Sequence, residues 1–197
     1  MSDAIEDPAS DARTADSRRL AGFGLTALAG LLIGIGSLLP WIRSSLEGLP
    51  DASSPTYYGI DLPDGVIALV AAAVVLVGLA ITQLTTSTPA RKTAAGAVIA
   101  ASIFAIAVAG AAVVTATSRF EPTAVDDVLA ELDPAGGATQ EQREQAEELI
   151  VIRLAPAPFA VIGGGLVGVA GGVLLLSWAN RVREQPDSVD GARQGPA

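Results

Sequence analysis

Four stretches of this chain carry no charged residue at all, and that constrains the fold more than any other feature. They cover residues 20–42, 65–90, 93–118 and 154–180. Each exceeds the roughly 20 residues that an α-helix needs to cross about 30 Å of hydrocarbon at about 1.5 Å per residue. A helix on a water-soluble domain would show a charged face beside its apolar one, and these runs have none. Inside a bilayer every backbone polar group must be satisfied within the protein, which favours the α-helix. The sequence therefore predicts an all-α membrane protein, a four-helix transmembrane bundle, with spans at about 20–42, 65–84, 94–117 and 158–179.

Composition narrows the chemistry. Of 197 residues, 50% are hydrophobic and 17% charged, against a usual charged share of about 25%. The chain has neither cysteine nor histidine, which excludes disulfides, thiol nucleophiles, Cys/His zinc sites and imidazole catalysis. A nucleic-acid partner needs clustered lysine and arginine, and the net charge here is −9. Acidic excess with Lys92 as the single lysine is typical of proteins from salt-loving prokaryotes, and GC-rich codon usage gives the same pattern.

Polar punctuation marks the span ends. The first run closes at Pro40-Trp41, the second opens at Asp61-Leu62-Pro63-Asp64, and Pro156 and Pro158 precede the fourth, which finishes at Trp178. Trp41 and Trp178 are expected at opposite headgroup belts. Arg18, Arg19, Arg91, Lys92, Arg181 and Arg183 flank the spans on one side, against Arg43, Arg119 and Arg153 on the other. By the excess of basic residues both termini are expected in the cytoplasm, with the chain in the plasma membrane. The first run is longer than a signal-peptide core and follows an acidic tail, so a retained helix is expected. The tails, 1–19 and 181–197, read as polar and disordered.

The segment between spans three and four reads as a small extracytoplasmic helical hairpin, about 123–154. Val125, Val128, Leu129 and Leu132 recur at helical spacing. Thr123 stands as N-cap of that arm, and Thr139 with Gln142 has capping-box spacing for a second. With Tyr57 and Tyr58 of the first outer loop, the four apolar residues form a candidate partner surface, the alternative being a solvated cap beside interfacial tyrosines. Asp126, Asp127 and Glu131 lack the spacing of a calcium loop, and no metal or cofactor site is expected.

Within the spans, small residues repeat every four positions. Gly22, Thr26, Gly30 and Gly34 form one row, and Gly164, Gly168 and Gly172 another. Such rows let helix backbones approach closely, and packing dominates helix association in lipid. The two rows are expected to face each other within the bundle, the alternative being contact between protomers. No span holds an ionisable residue in its interior, which weighs against a pump or coupled transporter. Nucleotide-loop and nucleophile-elbow motifs are absent from the sequence.

Leu38-Leu39-Pro40-Trp41, Tyr58-Gly59-Ile60 and Asp64-Gly65 resemble the pattern of small uncharacterised four-span membrane proteins of prokaryotes, in which Pro-Trp ends the first helix and Asp-Gly starts the second. The resemblance covers roughly residues 20–84 and implies no activity. Tetraspanins and claudin-like proteins share only the helix count, since both rely on cysteines that are missing here. The functional expectation is a non-enzymatic structural or accessory protein of the lipid bilayer, associating with a membrane-protein partner or with itself as a homo-oligomer. A small-solute permease or channel-like protein acting as an oligomer is the second reading. An enzyme using outer-loop carboxylates ranks last.

Overall fold

The first helix, α1 (Pro8–Leu38), starts on a proline, which is tolerated at a first helical position because its missing N–H would be unpaired there anyway. In the computed structural model, which describes residues 8–46, 56–132 and 139–181, residues 8–19 are thus helical and continuous with the first apolar run. The disordered tail expected there gives way to helix, because Ala9, Ala12, Ala15 and the arginines are good helix formers that extend an existing helix at little cost. The expected tail after 181 lies outside the described residues.

Helix α1 stops at Leu38, earlier than the charge-free run does. Pro40-Trp41-Ile42 are apolar but extended, and they begin β1 (Pro40–Leu46). Among the described residues, β2 (Thr56–Tyr58) and a 3-10 turn at Gly59–Asp61 come next. Helix α2 (Pro63–Leu84) has a proline in its first turn and Asp64 at its positive end. Helix α3 runs from Thr88 to Leu132. At about 1.5 Å per residue, its 45 residues make it far longer than a bilayer is thick. Helix α4 (Gln140–Leu149), β3 (Ile150–Leu154) and α5 (Ala157–Arg181) complete the chain.

Among the described residues, four helical segments are long and apolar enough to cross a membrane: Asp16–Leu38, Pro63–Leu84, Thr88–Ala116 and Ala157–Arg181. They form a mostly helical bundle in which α1 packs most extensively on α5, α5 also on α3, and α2 on both α3 and α1. Glycine does not break the fourth helix, since α5 is continuous through Gly163-Gly164-Gly165.

Two findings depart from the sequence reading between the helices. Separate arms were expected in the hairpin, but the first is the distal part of α3, which continues through Pro122. One proline removes one backbone donor, and the helix carries on around it. The other departure is a small sheet. Strands β2-β1-β3 form an antiparallel layer, with Ile42 opposite Leu154 and Leu46 opposite Ile150. The expected hairpin thus ends in a strand, so a minor β element accompanies the helices. Ile150-Val151-Ile152 is β-branched and suits a strand, but the preceding helical period masks that signal.

Packing inverts the usual size order. Among the fully buried positions are Ala29, Ala68, Ala95, Ala105 and Ala109, with Ile33, Val75, Val98 and Val161 between them. Large apolar side chains point outward: Leu84 is 85% exposed and Val114 83%, and Leu31, Ile35, Val70, Val77, Ile103, Phe104, Leu166 and Val173 are all exposed.

Candidate functional site

The glycine rows define the helix contacts, though in a more divided way than expected. Gly22 faces Leu174 and Leu175 of α5, whereas Gly30 faces Leu76 and Gly34 faces Ala72, both on α2. The first row is therefore shared between two neighbours. Thr26 is buried and lies beside Gly171. Its hydroxyl donates to the Gly22 carbonyl at 2.8 Å, so its polarity is spent within its own helix.

On α5 the glycines serve two partners. Gly164 sits against Leu32 and Ile33 of α1, and Gly172 against Ile99 and Val98 of α3. Gly168 lies between them, touching Ala29 of α1 and Ser102 of α3. Four further helix-contact glycines were not in the expected rows: Gly36 against Val161, Gly78 against Val98, Gly165 against Ile106, and Gly171 against Thr26. The paired glycines at 164–165 and 171–172 carry that signal, because adjacent helical positions point about 100° apart and so face different neighbours. Ser102 is fully buried at this junction, and among the described residues its hydroxyl has no hydrogen-bond partner.

The sheet end of the bundle is held by a compact turn. Trp41 is 1% exposed, and its indole N–H donates to the Gly36 carbonyl at 2.8 Å. It is therefore a core residue whose ring is turned inward and not presented at the surface as a belt tryptophan would be: strand β1 folds back over α1. Gly59 packs against the Ser37 carbonyl and the Trp41 ring nitrogen, and its N–H donates to the Leu39 carbonyl at 3.0 Å. Gly65 packs directly on the Gly59 carbonyl, leaving no room for a Cβ. The residues that carried the family resemblance thus converge on one point.

Further out, Val125 and Leu129 of α3 are buried against Ile150. They are spent inside the chain and do not form the free surface proposed for them. The side chains of Val128 and Leu132 lie outside the described set. Tyr57 is half-buried against the core, and Tyr58 is exposed. Arg143 of α4 pairs with Asp126 of α3 at 2.6 Å, and Arg119 of α3 with Asp64 of α2 at 2.9 Å. Among the described residues no three carboxylates approach closely enough to hold a metal.

At the opposite end, α1, α3 and α5 meet around Trp178. The Arg19 guanidinium lies 5.0 Å from the indole centroid and that of Arg91 4.8 Å. Phe23 meets the same indole edge-on at 6.3 Å. Arg91 also donates from Nε to the Thr85 carbonyl at 2.8 Å, fastening the α2–α3 turn. Sequence reading placed these residues at one membrane face but did not bring the two arginines onto one ring. No protein-family model and no curated protein matches this sequence.

Proposed function

We propose that the chain is a multi-pass plasma-membrane protein with both termini in the cytoplasm, acting without catalysis as a structural or accessory subunit. The supporting observation is the inverted packing. Alanine and glycine fill the bundle and leucine, isoleucine, valine and phenylalanine cover it. An apolar surface of that extent is costly in water and costs nothing in lipid, where close backbone packing takes over from the hydrophobic effect. The centre is occupied by helix backbone rather than by a polar route: Gly164 and Gly168 bring α5 onto α1, and Gly165 and Gly172 bring it onto α3.

The positive-inside rule then puts the Arg19–Arg91–Trp178 end in the cytoplasm and the sheet with the α3–α4 hairpin outside. Contacts with a partner would use the outer region, where Tyr58 and Ile60 are exposed, and the outward sides of the helices. Purification from native membranes in mild detergent, followed by mass spectrometry, tests this. A stoichiometric membrane-protein partner is the expected result. Isolation of the chain alone, together with solute flux in liposomes containing nothing else, would replace this reading with the permease one.

A further inference from the structure

The cluster around Trp178 gathers like charges where repulsion should drive them apart. With both guanidinium carbons about 5 Å from one indole centroid, they lie at most about 10 Å from each other. Cation–π contact uses the flat face of a guanidinium and leaves its edge N–H groups free. Arg19 makes ring contacts to Phe23 and Trp178, and no carboxylate pairs with it among the described residues. Arg91 spends Nε on the Thr85 carbonyl, which leaves its two terminal nitrogens. Lys92 is the next residue, and the first turn of α3 contains no acid. Asp16, one turn before Arg19, is exposed and forms no ion pair among the described residues.

Resting on the membrane reading above, we infer that Arg19 and Arg91 clamp the phosphate of an anionic phospholipid headgroup beside Trp178. Each arginine offers planar, charge-assisted donors that match phosphate oxygens. The ring contacts already hold both side chains close to the indole, which reduces the freedom lost when the anion arrives. Its position at the end of the apolar span sets that phosphate at headgroup depth, with the acyl chains lying along the exposed apolar faces of α1 and α5, where Leu20 and Val173 are uncovered. The occupant is a lipid rather than a soluble anion because the site opens beside that apolar surface.

The test uses the full chain purified in a neutral detergent. Retained lipids are counted by native mass spectrometry, and melting temperature is followed with added phosphatidylglycerol, phosphatidylcholine or inorganic phosphate. Phosphatidylglycerol should be retained at least tenfold more tightly than phosphatidylcholine and should raise the melting temperature. R19Q should abolish that preference and lower melting in phosphatidylcholine only slightly, because outside the lipid site it loses the ring contacts to Phe23 and Trp178 and nothing more among the described residues. R91K, which keeps charge but loses the fork, should weaken it. R43Q with R153Q, at the sheet end, should leave it intact. Equal retention of the two lipids, or an undiminished preference in R19Q, overturns the inference. A melting shift with inorganic phosphate alone, equal to that with phosphatidylglycerol and lost in R19Q, overturns the lipid assignment. Failure of the membrane reading is seen separately, as a chain released from membranes by alkaline carbonate before any lipid is added.

Discussion

The seam where α1, α3 and α5 meet and the sheet end around Trp41 are both tightly packed, yet they are held by different forces. In the seam the contacts are between glycine backbones and the sides of neighbouring helices, as at Gly164 on Ile33 and Gly172 on Ile99. The Thr26 and Ser37 hydroxyls turn back onto their own helix, to Gly22 and Ile33, and that of Ser102 makes no hydrogen bond among the described residues. At the sheet end the links are hydrogen bonds between distant segments. The Ala155 N–H donates to the Trp41 carbonyl at 2.9 Å, and the Gly59 N–H to the Leu39 carbonyl. Beyond them lie two exposed ion pairs. The difference follows from the surroundings. Where helices satisfy their own backbones, only close fit is left to join them. Where the chain leaves the helix, its backbone groups need partners, and a sheet supplies them.

Five measurements break or sharpen that contrast, the expected losses taken from the largest down and the one control set beside the first. Gly168→Leu places a side chain against Ser102 and Ala29 on two different helices. Neither can withdraw, so a loss of about 3 kcal/mol or more is expected, the upper range for overpacking. Gly24 meets nothing within 4 Å, and Gly24→Ala should instead gain about 0.5 kcal/mol from helix propensity. Denaturation in detergent reads both, and equal effects would show that the seam is not special. Gly65→Ala forces a Cβ onto the Gly59 carbonyl and should cost about 2 kcal/mol by the same overpacking argument. Its melting curve should fall between those of the two glycine variants just described.

Trp41→Phe keeps most of the ring and removes the donor to the Gly36 carbonyl. The buried acceptor is left unpaired, at a cost of about 1–2 kcal/mol, which denaturation with chemical denaturant can resolve. The smallest effect belongs to Asp126 and Arg143, whose side chains are 59% and 48% exposed. A double-mutant cycle should give under about 1 kcal/mol of coupling, shrinking in molar salt. Salt should leave the cost of Gly168→Leu unchanged. A salt-sensitive seam, or a salt-independent ion pair, would erase the distinction between the two regions.

Much of the bundle was legible because its code is one-dimensional. A run of uncharged residues longer than a bilayer can be counted without knowing what lies beside it, and all four apolar helices sit on those runs. The glycine rows were legible for the same reason, since helical period fixes which residues share a face. Trp41 was harder to read. A tryptophan at the end of an apolar run has the same local sequence whether it rests at a headgroup or folds inward. Val125 and Leu129 looked like an open stripe because nothing nearby in sequence announced Ile150 as their cover.

The sequence by itself determined the number of apolar helices, their approximate limits, the absence of ionisable groups within them and the small residues on which they pack. Those properties depend on composition and helical period, which are local. The tertiary structure alone decided that the first glycine row divides between α5 and α2, and that residues 150–154 leave helical order to pair with β1. It also decided that Arg19 and Arg91 both come within about 5 Å of one indole centroid. Each of those outcomes depends on segments far apart in the chain meeting in space, and a pairing between distant segments leaves no periodic mark on either one.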